Sequence, residues 1–194
     1  MVSNNPTRII VGITGATGAI FGVRLLQLLK PTDVETHLVV SKWGARTLLH
    51  ETALSLEDLQ PLATHHYPIG NQGALISSGS FLTSGMIVAP CSMRTLSAIA
   101  HGASDNLLHR AADVVLKERR KLVLLVREAP LNDIHLENML KLSRMGAVIL
   151  PPVPAFYNRP NSLEDVIDHV VLRTLDQVGI HLDESNRWDG EMKT

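Results

Sequence analysis

The sequence predicts an α/β fold in which helices cover both faces of a mostly parallel β-sheet. Short apolar runs rich in β-branched residues alternate with segments of helical spacing. The first of these runs leads straight into a glycine-rich turn at residues 12–18. The chain has 194 residues, of which 45% are hydrophobic, and this is enough for one domain with a full core. We therefore expect residues 1–194 to form a single domain.

Five strands and six helices are expected along the chain. The apolar runs predict strands at residues 8–14, 34–41, 85–90, 122–126 and 147–150. Helical spacing predicts helices at residues 19–30, 43–51, 92–100, 107–120, 132–144 and 162–178. Pro31 ends the first helix, and Ser92 is a favourable N-cap for the third. Turn-forming residues predict a loop with room for one short helix at residues 60–80, and four prolines exclude a helix between residues 151 and 160.

The composition excludes several classes of protein. Lys and Arg number 18 against 19 Asp and Glu, and the formal net charge of −1 gives no general attraction to nucleic acids or anionic membranes. Aromatic residues are 4% of the chain, too few for a surface that stacks on bases. The single cysteine, Cys91, cannot form an internal disulfide, and the scattered histidines show no metal-ligand spacing. We expect a cytoplasmic protein with no membrane span, no nucleic-acid partner and no bound metal.

Candidate functional residues follow the predicted strands, because parallel sheets bind ligands at the carboxyl ends of their strands. The glycines of residues 12–18 permit a tight turn, and the next helix offers free N–H groups and the positive end of its dipole. This turn is predicted to bind a phosphate. Residues 90–95 place the Ser92 and Thr95 hydroxyls and the Arg94 cation at a second helix start. They predict another anion site, although both hydroxyls also suit simple helix capping.

Other polar residues have both a structural and a functional interpretation. Arg110 and Lys117 lie on one side of a helix, where a solvent-exposed ion ladder is the simpler interpretation. Arg127 and Glu128 end the fourth strand, where opposite charges suit contact with a ligand better than core filling. Cys91 is expected to be an inert buried thiol.

The glycine turn alone leaves the ligand open, since TGATG also begins many nicotinamide-dependent short-chain dehydrogenases. Three features disfavour nicotinamide chemistry. The glycine spacing gives no G-x-G-x-x-G, and the second strand ends in Ser41 instead of an acidic residue. Neither tyrosine is followed four residues later by a lysine.

A series of long motifs runs in order along nearly the whole chain: TGATGAIFGVRLL, SK at residues 41 and 42, PCSMRTL, RAADVVLKERR, LVREAPL, IHLENMLKLSRMGAVILPPVPAFY and the Arg-Trp pair at residues 187 and 188. Together they resemble the UbiX/Pad family of flavin prenyltransferases. TGATG and SKW most resemble the branch named for the second subunit of phenolic or hydroxyarylic acid decarboxylases.

The resemblance implies a flavodoxin-like or Rossmann-like three-layer sandwich that assembles into a homo-oligomer, commonly a dodecamer. It places the flavin site at subunit contacts, and we expect residues 180–194 to lie at one of them. The implied reaction is metal-independent: a dimethylallyl group passes from dimethylallyl phosphate to N5 and C6 of reduced FMN. The product, prenylated FMN, then serves a UbiD-type decarboxylase.

Position by position, the resemblance implies three sets of site residues. The FMN-binding set is Gly15, Ala16, Thr17, Ser41, Ser92, Met93, Arg94, Thr95 and Arg127. The set that holds dimethylallyl phosphate is Tyr157, Arg173, Arg110 and Lys117. The catalytic set is Glu128, Thr17, Glu51, Lys117 and Trp188. Many members of the family have serine where this chain has Thr17.

Two other functions stay open. An FMN-dependent cysteine decarboxylase of the same superfamily would resemble the chain at its flavin edge, but its Pro-x-Met-Asn-x-x-Met-Trp signature is absent from the sequence. A non-catalytic FMN-binding subunit of a hydroxyarylic acid decarboxylase complex is the second alternative. The retained polar residues of the catalytic and phosphate-holding sets argue against it, because a scaffold would not need them.

Overall fold

The computed structural model describes residues 6–182 and Gly190. Its six strands form one parallel sheet in the order β3-β2-β1-β4-β5-β6. The strands are β1 (Arg8–Ile13), β2 (Glu35–Val40), β3 (His65–Tyr67), β4 (Gly85–Cys91), β5 (Lys121–Val126) and β6 (Val148–Ile149). Five of them confirm predicted strands. β3 is a correction, since it lies within the predicted loop at residues 60–80 and its three residues carry no apolar run.

Residues 6–182 form seven α-helices, of which the first six connect strands and the last follows β6: α1 (Ala19–Leu29), α2 (Lys42–Thr52), α3 (Leu56–Leu59), α4 (Met93–Ala100), α5 (Leu107–Lys117), α6 (Asp133–Arg144) and α7 (Leu163–Gln177). The four-residue α3 was not predicted. α5 ends three residues earlier than predicted, and Arg119 just beyond it has a left-handed φ of 57°. None of these helices is both long and apolar enough to cross a membrane.

The sheet separates two apolar cores and so makes three layers. α1, α2 and α7 cover one face, where Leu48 and Val171 are fully buried. α4, α5 and α6 cover the other face, where Leu96 and Leu142 are fully buried. The predicted flavodoxin-like or Rossmann-like α/β fold is confirmed.

The strand order reverses at β1, which has β2 on one side and β4 on the other. At such a reversal the connections leave the sheet in opposite directions, and a crevice opens at the carboxyl ends of the strands. We call this end of the sheet the carboxyl edge and the opposite end the amino edge. The loops after β1, β2, β4 and β5 all reach the carboxyl edge.

Candidate active site

The turn after β1 packs directly against the start of α2. A Cβ atom at Gly15 would lie 2.5 Å from the Cβ of Trp43 and 3.4 Å from its backbone carbonyl carbon, so no larger residue fits there unless the tryptophan moves. Gly18 caps the start of α1 with a φ of 97°, a left-handed conformation that favours glycine. Between these glycines, Thr17 is exposed at the carboxyl edge.

The carboxylate of Glu51 lies at the N-terminus of α1. Its Oε2 atom accepts hydrogen bonds from the backbone N–H groups of Gly18 and Ala19, both at 2.9 Å. The Thr17 hydroxyl also donates to this carboxylate. The sequence predicted a bound phosphate at this helix start, but two of its N–H groups already have an anion supplied by the chain itself. A phosphate at this position would have to displace Glu51 or use other donors.

These contacts also set the charge of Glu51. Burial alone would raise the pKa of its carboxyl group, but the hydrogen bonds from Thr17, Ala19 and Gly18 outweigh burial and lower the pKa. Glu51 is therefore ionised at neutral pH. The Thr17 hydroxyl is held against a carboxylate, an arrangement that can relay a proton.

A buried threonine joins the ends of β1 and β4. The Thr14 hydroxyl donates to the carbonyl oxygen of Pro90 at 2.7 Å and accepts from the backbone N–H of Ser92 at 2.8 Å. Sequence reasoning missed Thr14, although a polar residue at the end of an apolar strand was a usable signal, since a buried hydroxyl needs partners. These bonds fix the start of α4 at Ser92 beside the glycine turn.

Two of the predicted serines cap helices at the carboxyl edge. The Ser41 hydroxyl accepts from the Gly44 N–H at 2.9 Å at the start of α2. The Ser92 hydroxyl accepts from the Thr95 N–H at 3.3 Å at the start of α4 and contacts the Thr95 hydroxyl at 3.2 Å. Capping thus accounts for Ser92 and Thr95 in the chain as it stands. In the first turn of α4, Met93 is partly buried and Arg94 is exposed, so the Arg94 cation is available to a ligand.

Cys91, at the end of β4, is fully buried. Burial raises the pKa of its thiol to about 12, so the reactive thiolate is scarce at neutral pH. The expected burial of this thiol is confirmed.

Arg127 and Glu128 follow β5 and are both exposed. The Arg127 N–H donates to the Cys91 carbonyl oxygen at 3.1 Å, which places this pair beside the start of α4. Glu128 Oε1 accepts from the Ala129 N–H at 3.1 Å. The structure therefore brings together at the carboxyl edge the predicted residues Gly15, Ala16, Thr17, Ser41, Glu51, Ser92, Met93, Arg94, Thr95, Arg127 and Glu128.

Arg110 and Lys117 lie on α5. This helix ends four residues before β5 begins, so its C-terminus lies at the amino edge of the sheet and its N-terminus is nearer the carboxyl edge. Arg110 pairs with Asp113 at 2.8 Å. Lys117, in the last turn of the helix, pairs with Glu118. Within one chain these contacts fit the ion-ladder interpretation, and Lys117 does not meet the residues of the carboxyl edge.

Tyr157 and Arg173 come together at α7 through a histidine that sequence reasoning did not select. The Tyr157 ring meets the His169 ring edge-on, with centroids 6.0 Å apart. Arg173 follows His169 by one helical turn. Burial, and then the positive charge of Arg173, lower the pKa of His169. Arg173 also pairs with Asp176 at 2.7 Å, so this predicted phosphate-holding pair forms its own group between α7 and the 3₁₀ turn Phe156–Asn158. Trp188 lies outside the described residues.

Trp43 is a second residue that sequence reasoning did not select for the site. Its side chain is 61% exposed although it touches the glycine turn, and the Arg46 guanidinium carbon lies 5.0 Å from its ring centroid. An exposed tryptophan offers a large rigid aromatic surface to a ligand. The carboxyl edge thus combines an aromatic plane, helix N-termini and the exposed cations of Arg94 and Arg127, which suits a planar ring with a phosphate.

Comparison with known proteins gives the chain a family. It matches the Flavoprotein family over residues 2–175. It is 65% identical over 183 residues to a probable UbiX-like flavin prenyltransferase from Bacillus subtilis (strain 168), covering 94% of this chain and 90% of that relative.

Two solved structures extend the likeness to three dimensions. AnUbiX (PadA1), in complex with FMN and dimethylallyl pyrophosphate, matches with a TM-score of 0.94 and 50% identity over 96% of this chain and 100% of that one. The dodecameric FMN-dependent Ubix-like decarboxylase from Escherichia coli O157:H7 matches with a TM-score of 0.93 and 56% identity over 95% and 100% of the two chains. With identity this high over nearly the full length, the chain belongs to the UbiX-type family of flavin prenyltransferases.

Proposed function

We propose that this chain is an enzyme that transfers a dimethylallyl group from dimethylallyl phosphate to reduced FMN. The observation that carries the proposal is the convergence of three helix N-termini, an exposed tryptophan and the Thr17–Glu51 pair at one end of the sheet. Reduced FMN, when bound, supplies N5 and C6 as the atoms that accept the dimethylallyl group. The product is prenylated FMN.

The flavin-holding residues are those of the carboxyl edge: Gly15, Ala16, Thr17, Ser41, Ser92, Met93, Arg94, Thr95 and Arg127. The missing side chain at Gly15 lets the turn pack directly against the start of α2, which holds the exposed Trp43 beside the backbone of the turn. The Arg94 and Arg127 cations complement a phosphate, and the serine-capped helix starts add the positive ends of their dipoles.

The donor-holding residues are Tyr157, Arg173, Arg110 and Lys117. In one chain their cations pair with Asp176, Asp113 and Glu118 and lie on helices that do not close over the carboxyl edge. We infer that neighbouring copies of the chain present α5 and α7 to this edge. The assembly is a homo-oligomer, and the dodecameric relative supports a dodecamer. Residues 180–194, with Trp188 among them, belong to a subunit contact of the single domain.

Breaking the C–O bond of the donor sends its electron pair to phosphate and leaves an allylic cation. Arg173, Lys117 and Arg110, with the Tyr157 hydroxyl, stabilise the growing negative charge on phosphate. The ring of Trp188 stabilises the cation. Glu128 would take the proton released at N5 and pass it to phosphate. As the second bond forms, the same residue, assisted by the Thr17 hydroxyl that Glu51 holds, would move the proton lost at C6 to the prenyl double bond. No metal takes part.

The product would leave for a UbiD-type decarboxylase, which performs the decarboxylation. The buried free thiol of Cys91 supports a cytoplasmic location, where thiols stay reduced.

One observation favours a second candidate. Every cation of the donor-holding set already has an acidic partner in its own chain. A chain that never assembled would therefore keep a flavin-holding edge without a donor site. That protein would be a non-catalytic FMN-binding subunit.

The test is anaerobic incubation of the purified protein with reduced FMN and dimethylallyl phosphate, followed by mass spectrometry of the released flavin. A gain of one C5 prenyl unit that disappears in Glu128→Gln is expected. Dimethylallyl diphosphate serves as the competing donor. Tightly bound but unchanged FMN would support the non-catalytic subunit, and a protein that binds no flavin would contradict both functions.

A further inference from the structure

Two histidines and a glutamate share one face of β2 and β3 towards the amino edge. Glu35 and His37 are two residues apart on β2, so their side chains point to the same side of the sheet. His65 on β3 pairs in register with His37, which places all three side chains side by side. The carboxyl edge with its flavin-holding residues lies at the other end of the sheet.

The three ligand-type atoms are close enough to share one ion. Glu35 Oε1 lies 3.0 Å from His65 Nε2 and 3.3 Å from His37 Nε2, and the three atoms all lie within 4.8 Å of one another. Zinc bonds of about 2.0–2.1 Å at tetrahedral angles place neighbouring ligand atoms about 3.3 Å apart. The two contacts of Glu35 Oε1 are therefore close to the spacing of ligand atoms around a zinc ion.

The inner histidine carries an unsatisfied nitrogen. His37 is 0% exposed, and its Nε2 atom has no hydrogen-bond partner among the described residues, since the approach to Glu35 lacks hydrogen-bond geometry. Its Nδ1 atom lies 3.0 Å from the Tyr67 hydroxyl. In the tautomer that carries its proton on Nδ1, the ring donates to Tyr67 and the Nε2 lone pair faces Glu35 Oε1, so that both atoms are available to one cation.

Neighbouring residues orient the Glu35 carboxylate and leave one side of the cluster open to solvent. Arg8 holds Glu35 Oε2 at 3.0 Å and leaves Oε1 to the histidines. Phe81 closes the inner side, edge-on to His37 with centroids 5.1 Å apart. His65 is exposed on the outer side, where an ion can enter and a water molecule can complete its coordination.

We propose that Glu35, His37 and His65 bind one divalent transition-metal ion, with Zn²⁺ the ion that best suits two imidazoles, one carboxylate and one water. The ion ties the three-residue edge strand β3 to β2 and takes no part in prenyl transfer. No sequence motif indicates this site. His37 and His65 are 28 positions apart on two strands, and the three ligands follow no known metal-binding spacing.

The experiment uses the untagged, full-length protein after removal of metal with EDTA. Zn²⁺ is titrated by calorimetry, and Co²⁺ is titrated as an optical probe of tetrahedral coordination. His65→Ala and Glu35→Gln remove ligands, and His66→Ala on the neighbouring position of the same strand is the matched control. Tyr67→Phe removes the partner of His37 Nδ1.

The expected result is one Zn²⁺ per chain and a melting temperature raised by about 5 °C at a hundredfold excess over Kd. Affinity falls at least about 100-fold in His65→Ala and about tenfold in Tyr67→Phe, while His66→Ala binds as the wild type does. Prenyl transfer is the same with and without EDTA. Absence of stoichiometric Zn²⁺ binding, or equal affinity in His65→Ala and His66→Ala, would overturn the proposal.

Discussion

The carboxyl edge and the outer faces of α5 and α7 carry the same kinds of polar residue but organise them differently. At the carboxyl edge, side chains far apart in sequence meet: Glu51 reaches the first N–H groups of α1, and Thr14 ties Ser92 to β1. On α5 and α7, Arg110 and Arg173 pair with acidic residues one turn away on the same helix. The fold of one chain thus builds the first region from distant segments, whereas under the proposed function the second region acts in the site of a neighbouring copy.

This difference between the two regions implies that flavin binding and prenyl transfer depend on different sets of residues. A region built by contacts between distant segments is set once the chain folds. The Arg110–Asp113 pair lies at the surface, and its cation costs little to release, because an exposed helical pair contributes about 0.3–0.5 kcal/mol. Flavin binding should therefore depend on the carboxyl edge, and turnover should depend on both regions.

The largest expected effect comes from Arg173→Ala. Loss of a group that stabilises charge on the departing phosphate should lower kcat about 10²–10³-fold, while FMN affinity stays near the wild-type value. Arg144→Ala, which removes an exposed cation from the last turn of α6, is the matched control and should keep full activity. Stopped-flow turnover and flavin fluorescence titration measure the two quantities. A loss of FMN affinity equal to the loss of turnover would contradict the claim that Arg173 contributes to turnover and not to FMN binding.

Gly15→Ala should disrupt the carboxyl edge itself. The added methyl group would lie 2.5 Å from Trp43 Cβ, so the start of α2 must shift at a cost of about 1–3 kcal/mol. FMN affinity should fall about tenfold or more, and urea unfolding should report the stability loss. Gly70→Ala is the control, since nothing lies within 4 Å of a Cβ atom there. Equal FMN affinity in both variants would show that the close approach of Gly15 and Trp43 is not needed for binding.

Glu51→Gln should give a smaller effect that depends on pH. Because folding lowers the pKa of this carboxyl group, its contribution to stability is present above the ordinary Glu value and is lost as pH falls through the lowered pKa. The variant should lose about 1 kcal/mol at neutral pH, and the difference from wild type should shrink below about pH 4. Denaturant unfolding at several pH values measures it. A difference that grows on acidification would contradict the assigned direction.

Cys91→Ala should have the smallest effect. The thiol is buried and burial raises its pKa to about 12, so the native protein should react very slowly with iodoacetamide at neutral pH. The variant should retain prenyl transfer at the wild-type rate. Rapid alkylation of the folded protein, or loss of activity in the variant, would instead favour thiol chemistry.

Most of the fold followed from the sequence because apolar runs report burial directly. Boundaries moved by one to three residues, and helix caps such as Ser92 were visible in advance. β3 was not, since an edge strand of two histidines and a tyrosine between turn-forming residues carries no apolar run. Its existence depends on pairing with β2, a contact between distant segments.

The positions of the candidate site could be predicted from the sequence in part, but the contacts between them could not. Strand ends identified the glycine turn, Ser92 and Arg127 without knowledge of the fold, because parallel strands share one carboxyl edge. The occupation of the α1 N-terminus by Glu51, 33 positions from Gly18, and the contact of Tyr157 with His169 depend on tertiary packing. Neither of these two contacts can be predicted from the residues next to it in the sequence.

The proposal that each catalytic site uses residues from more than one chain has a direct test in mixed oligomers. Glu128→Gln and Arg173→Ala chains, each inactive alone, are coexpressed in equal amounts and purified as one assembly. If Arg173 acts in a neighbour's site, about one quarter of the wild-type rate should return, because some sites then combine two intact contributions. A mixed assembly as inactive as either parent would contradict shared sites, since it would place Glu128 and Arg173 in the site of the same chain.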